Sequence, residues 1–134
     1  MKHDTHERGA ISEMVVMTEF TKLGYAVSRP ITEERYDIIV ELRDEGLSKV
    51  QIKRAYPVER DDIVSGVAIA VDLRAGMEHK GYAKGDIDYF AIHDPKNEDV
   101  YWLSIEEAPD SGATRKRENW LNDRLVDSVP HLNE

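Results

Sequence analysis

Two runs of strand-forming residues flank the short acidic turn Asp44-Glu45-Gly46, and this pairing constrains the chain more than any other feature. Tyr36–Arg43 carries Ile38, Ile39, Val40 and Leu42, while Lys49–Ala55 carries Val50 and Ile52. Runs of this length around a glycine-containing turn predict a β-hairpin. The first run alternates only weakly and predicts a strand covered on both faces. In the second, the period of two sets Gln51 and Lys53 on one face and Val50 and Ile52 on the other. Asp37 must project toward the Gln51/Lys53 face if the three are to act together.

The segments on either side extend this core. Ile11, Met14, Val15, Thr18 and Leu23 recur at helical spacing, so Gly9–Leu23 predicts a helix with those residues as its apolar stripe and Gly24 as its C-terminal cap. Tyr25-Ala26-Val27-Ser28, stopped by Pro30, predicts an edge strand. Ile63–Leu73 is a continuous apolar run compatible with a strand or a short helix; valine, isoleucine and Gly66 favour the strand. The three glycines between Arg74 and Gly85 predict a long mobile loop, a place where function often resides. Asp86–His93 and Val100–Ile105 predict a second hairpin around the 94–99 turn. Arg115-Lys116-Arg117 then leads into Trp120, Leu121, Leu125 and Val126, which predict a terminal amphipathic helix. A helix, consecutive strands and a final helix amount to an α+β fold with a mixed central sheet.

At 134 residues the whole chain, 1–134, is expected to be one domain with a packed core. It contains no cysteine, which excludes disulfides and thiolate zinc sites and leaves carboxylates, amides and imidazoles as ligands. Oxygen ligands favour Mg2+, with Mn2+ as a substitute. The N-terminus is polar, and no apolar run nears the ~18 residues of a membrane span, so a cytoplasmic protein without membrane contact is expected. Eighteen basic against 27 acidic residues give a net charge of -9, which repels nucleic acid at low salt. A halophilic setting, where salt screens that repulsion, is one reconciliation.

Hydrolysis of a phosphodiester requires a divalent ion to polarise the phosphate and acidify a water, with a cation near the developing charge. Asp37 can bind such an ion, Gln51 and the Ile52 carbonyl can add neutral oxygens, Lys53 can orient water or stabilise the pentacovalent phosphorus, and Glu13 can contribute from the helix. In order, spacing and element type these residues resemble the PD-(D/E)XK, or restriction-endonuclease-like, superfamily. The likeness is strongest to small members related to homing endonucleases and archaeal Holliday-junction resolvases. It is carried by Gly9 to Glu13, by Leu23-Gly24-Tyr25-Ala26-Val27-Ser28-Arg29-Pro30, by Tyr36-Asp37, by Val50-Gln51-Ile52-Lys53 and by Asp86–Ile92. Tyr36 replaces the proline of the superfamily pattern and Gln51 its second carboxylate.

The resemblance implies a restriction-endonuclease-like core, a mixed central β-sheet flanked by helices. It also implies a Mg2+-dependent DNA endonuclease with Glu13, Asp37, Gln51 and Lys53 as catalytic residues, of which Asp37, Gln51 and Glu13 are metal ligands. A homo-oligomer, dimer or tetramer, would supply a second active site. Arg54, Arg74, Lys80 and Lys84 are the candidate DNA-binding residues. Arg115-Lys116-Arg117 reads as a solvated run at a helix start. Glu41 is read as structural, and Asp86 and Asp88 as turn residues. His3, His6, His79, His93 and His131 have no ligand spacing and are read as surface or core residues. The alternatives are a non-catalytic interaction module on the same fold and a Holliday-junction resolvase.

Overall fold

A computed structural model describes residues 5–58, 66–75, 80–83 and 85–132. Its first element is α1 (Thr5–Lys22), and Gly24, at φ +98°, closes it with its N–H on the Thr21 carbonyl, the cap expected of a glycine there. The strands β1 (Val27–Ser28), β2 (Ile38–Leu42), β3 (Gly46–Arg54), β8 (Tyr89–Asp94) and β9 (Asp99–Ser104) form one sheet in the order β1-β2-β3-β8-β9. Every neighbouring pair is antiparallel except β3 with β8, which is parallel. Parallel neighbours need a crossover, and here the intervening chain builds β4 (Tyr56–Pro57), β5 (Ala68–Asp72), β6 (Arg74–Ala75) and β7 (Lys80–Gly81). Strands β5 and β4 join β10 (Gly112–Lys116) in a second sheet ordered β10-β5-β4.

Apolar residues pack against both faces of the large sheet, in different company. One packs Ile38, Val40, Leu42, Val50 and Ile52 against Val16 and Phe20 of α1 and against Leu125 and Val129. The other packs Phe90, Ile92, Tyr101 and Leu103 against Ile69 and Val71 of β5, against Leu73 just beyond it and against Trp120. The small sheet covers β8 and β9 but does not extend over β2, where Ile39 is half-buried and Glu41 exposed. The expectation of a β2 strand covered on both faces is thereby corrected. Its open side is the Asp37 face.

Three further expectations change. The buried residues of α1 are Ser12, Val16 and Phe20, followed by Leu23 just past its end, whereas Met14 and Thr18 face outward. The sheet selects the side of the helix that fits it, and that side includes a serine that a hydrophobicity pattern passes over. The stretch 74–85 contains the paired strands β6 and β7 instead of a continuous loop; residues 76–79 and 84 lie outside the described ones. The terminal amphipathic helix is replaced by β10, α2 (Arg117–Trp120), a 3-10 turn (Leu121–Asp123) and α3 (Leu125–Ser128). Arg115 and Lys116 are strand residues because β10 completes the small sheet along the whole of β5. Within 63–73 the described residues give β5, the strand alternative. No helix among the described residues is long and apolar enough to cross a membrane.

Candidate active site

Asp37 immediately precedes β2, and extending the β2–β3 register by one step from Ile38↔Val50 sets it opposite Gln51. Two hydrogen bonds fasten it there: its N–H donates to the Val50 carbonyl at 2.9 Å, and its carboxylate Oδ2 accepts the Ile52 N–H at 2.8 Å. The side chain thus takes over a ladder position that the backbone of β2 leaves open. Burial pushes the Asp37 carboxyl above its ordinary pKa, and the Glu13 charge adds to this. The Ile52 N–H and the charges of Lys53 and Arg29 oppose it.

Lys53 lies on the same face two residues beyond Gln51. Its Nζ donates to the Arg74 carbonyl at 2.8 Å and stands 5.3 Å from the centre of the Tyr82 ring. Burial lowers the ammonium pKa, while the charges of Asp72 and Asp37 restore part of it. The Gln51 amide sits beside the Ile52 carbonyl, with Nε2 3.5 Å from that oxygen. Amide oxygen and nitrogen exchange places by a half-turn, so Gln51 can present either atom to this spot.

Glu13 joins from α1. Arg29 Nη2 lies 3.3 Å from Glu13 Oε1, and both line an open polar depression of about 470 Å3 whose wall includes Tyr36 and Asp37. Of the predicted residues Glu13, Asp37, Gln51 and Lys53, Asp37 is the common member: it shares the depression with Glu13, stands opposite Gln51 across the hairpin and feels the Lys53 charge, while Gln51 and Lys53 themselves do not line the depression. The donors available among the four are all oxygens apart from the lysine: two carboxylates, one amide and the Ile52 carbonyl. That set suits a hard divalent ion such as Mg2+ or Mn2+. No group of three or more His, Cys, Asp or Glu side chains that could hold a metal ion converges among the described residues.

The candidate DNA-binding residues are more dispersed. Arg54 turns toward α1, donating from Nη1 to the Arg8 carbonyl at 3.1 Å and to Ser12 Oγ at 3.3 Å. Arg74 stands at the rim but is engaged by Asp72, Nε to Oδ1 and Nη2 to Oδ2 both at 3.0 Å. Lys80 contributes backbone to β7, and Lys84 lies outside the described residues. The 115–117 run leads into α2 as expected and Lys116 is exposed, but its two arginines are engaged rather than solvated. Arg115 pairs with Asp123 at 2.8 Å, and Arg117 with the fully buried Asp94 at 2.8 Å and with the Gly66 carbonyl.

Glu41 is exposed on β2. Asp86 accepts the Ala83 N–H at 2.9 Å, the turn role expected of it, whereas Asp88 accepts the Lys49 N–H of β3 at 2.8 Å instead of settling the turn. His93 is buried and His131 bonds the Val126 carbonyl. His6 is exposed, and His3 and His79 are outside the described residues. Sequence reasoning assigned nothing to Arg29, Asp72 or Tyr82. The Arg74 hydrogen bonds pull the Asp72 carboxyl down to about 2, and burial pushes the Tyr82 phenol up to about 12. Asp72-Leu73-Arg74 places opposite charges two apart at a strand end, a visible signal; Tyr82 carried none.

A mixed five-stranded sheet flanked by helices, with an acid, an amide and a lysine on its open side, defines a restriction-endonuclease-like core. The chain belongs to the PD-(D/E)XK endonuclease family, whose model matches residues 3–121. It is similar to protein 5.3 of Escherichia phage T7, 37% identical over 105 residues that cover 78% of this chain and 84% of that protein. It also resembles the bacterial homing endonuclease I-Ssp6803I in fold, with a TM-score of 0.70 and 19% identity over 92% of this chain and 88% of that one.

Proposed function

We propose that this protein is a Mg2+-dependent DNA endonuclease, with Mn2+ as a substitute, in which Asp37, Gln51 and Glu13 hold the ion and Lys53 assists the chemistry. The observation that carries this is the Asp37 carboxylate locked to the Ile52 N–H on the face that bears Gln51 and Lys53. A bound ion polarises the phosphate and lowers the pKa of a coordinated water. Asp37 contributes an anionic oxygen already oriented by its bond to Ile52, and Gln51 and the Ile52 carbonyl contribute neutral ones. Lys53 brings a positive charge in a partly desolvated position, where it stabilises charge accumulating on the phosphorus oxygens more strongly than it would in water. Its bond to the Arg74 carbonyl and the Tyr82 ring beneath it limit where the ammonium can go.

Cutting both strands of a duplex calls for two such centres, which favours a homo-oligomer; sedimentation velocity measures it directly. The net charge of -9 predicts that DNA binding tolerates or requires raised salt in a halophilic cytoplasm. Full stability and activity near ~0.1 M salt would remove that part of the reading.

The test is incubation with supercoiled, linear and four-way-junction DNA in Mg2+ or Mn2+, alongside Asp37→Ala and Lys53→Ala. Metal-dependent cleavage by the wild type alone supports the proposal. Preference for the junction moves the reading to a resolvase. The second reading, a non-catalytic nucleic-acid or protein interaction module, is favoured by the neutral Gln51 and the acidic surface, and identical behaviour of all three proteins would eliminate the catalytic proposal.

A further inference from the structure

A polar chain with a buried centre, which the proposed chemistry does not use, joins α1 to the sheet. Arg54 Nη1 lies 3.3 Å from Ser12 Oγ, Ser12 Oγ lies 2.9 Å from His93 Nδ1, and His93 Nε2 lies 3.3 Å from Glu98 Oε1. The donor inventory sets the direction of each bond. A carboxylate only accepts, so Nε2 carries the hydrogen that reaches Glu98. In the neutral ring Nδ1 is then the acceptor, and Ser12, which accepts from the Arg54 guanidinium, gives its single proton to Nδ1. Every member is satisfied with a neutral imidazole, and burial acts in the same sense by lowering the His93 pKa.

Ser12 is 1% exposed and His93 0%. The other buried residues within α1 are Val16 and Phe20. Apolar contact draws a helix onto a sheet without fixing where along its axis it stops, whereas a hydrogen bond is directional. The location of this one matters. Ser12 directly precedes Glu13, Arg54 directly follows Lys53, and His93 is the register partner of Arg54 between β3 and β8. The chain of bonds therefore ties the helix bearing the acid to the strand bearing the lysine.

We infer that Ser12 and His93 are positioning residues: their hydrogen bond, oriented by Arg54, fixes the axial placement of α1 and so holds Glu13 beside Asp37 at the mouth of the depression. The part concerning Glu13 rests on the nuclease reading above; the part concerning α1 does not. The competing account is a buried bond whose loss weakens the fold without displacing Glu13.

The experiment compares Ser12→Ala and His93→Gln, which break the bond, with His93→Asn, whose amide falls near Nδ1 and retains an acceptor. Each is made in the full chain with Glu13 present and with Glu13→Gln. Three quantities are read: amide hydrogen exchange along α1, Mn2+ affinity by electron paramagnetic resonance, and kcat and KM for DNA cleavage. Both breaking variants are expected to speed exchange in the first half of α1, weaken Mn2+ binding several-fold and lower kcat about tenfold with KM within about twofold. With Glu13→Gln the losses in affinity and kcat shrink to about twofold or less, because the residue acted upon is gone. His93→Asn recovers most of what His93→Gln loses. Equal fold-losses in both backgrounds, or unchanged exchange in α1, overturn the inference. If one breaking variant does not fold, the other carries the same comparison. A wild type that neither binds Mn2+ nor cleaves DNA retires the nuclease reading, while hydrogen exchange still decides the placement of α1.

Discussion

Asp37 and Ile52 meet at the open end of the β2–β3 hairpin, where the aspartate Oδ2 accepts the isoleucine N–H at 2.8 Å. One carboxylate oxygen thus serves the fold, which leaves the other for a ligand. Asp37→Asn retains an acceptor for Ile52 and Asp37→Ala does not. Both are expected to lower cleavage by about 10²-fold or more. Only the alanine variant should lose stability as well, by about 1–3 kcal/mol, from the unsatisfied N–H. Nicking assays and urea unfolding separate the two effects.

Lys53→Met preserves much of the side chain's apolar stem over Tyr82 and removes the charge. The expected result is a fall in kcat of about 10²–10³-fold with KM for DNA within a few-fold, since the charge is needed most in the transition state. A rise in KM at unchanged kcat would reassign Lys53 to simple phosphate binding.

Gln51→Glu supplies the second carboxylate of the superfamily pattern. If Gln51 is a ligand, Mn2+ affinity measured by titration calorimetry should rise, on the order of tenfold, with the added ligand charge. Without metal the variant should be less stable than wild type because two carboxylates then face each other across the hairpin. Unchanged affinity would place the metal elsewhere.

The buried His93 imidazole has its pKa held below the ordinary 6.5 by desolvation; Glu98 and Asp94 oppose this and Arg54 aids it. Below about pH 6.5 the unfolded chain takes up a proton that the folded chain resists. The contribution of His93 is therefore fully present above that pH and is lost as pH falls through and below it. Urea midpoints between about pH 7 and about pH 5 should fall more for wild type than for His93→Asn, which has no proton to gain.

Arg117 and Asp94 form a buried ion pair, with side chains 15% and 0% exposed. Arg117→Met leaves Asp94 uncompensated and is expected to cost about 3–5 kcal/mol. Arg124, 3.6 Å from Asp99 and 40% exposed, should cost at most about 1 kcal/mol when changed to alanine. Thermal midpoints of the two variants test the contrast.

The site was legible wherever strand periodicity governed it. Gln51 and Lys53 had to share a face because alternate residues of a strand do, and one hairpin turn sufficed to bring Asp37 onto it. Glu13 was legible only through its spacing in the family pattern, since helical periodicity pointed to a different face of α1 from the one that packs. The strands β6 and β7 and the short C-terminal elements escaped because runs of two to five residues carry almost no period of their own. They exist because the small sheet needs β10 along β5 and because the parallel β3–β8 pair needs a crossover.

The order of residues alone determined the central hairpin, the alternation of its faces and the chemical types, acid, amide and lysine, that this alternation brings together. Those follow from backbone geometry within one strand and one turn, which neighbours do not alter. Tertiary packing decided which face of α1 is buried, that β2 keeps one side open, and that Arg29, Asp72 and Tyr82 stand around the site. Each of these depends on which surface docks on which. That choice is made by shape and by buried hydrogen bonds such as Ser12 to His93, between residues far apart in the chain, and no local pattern records it.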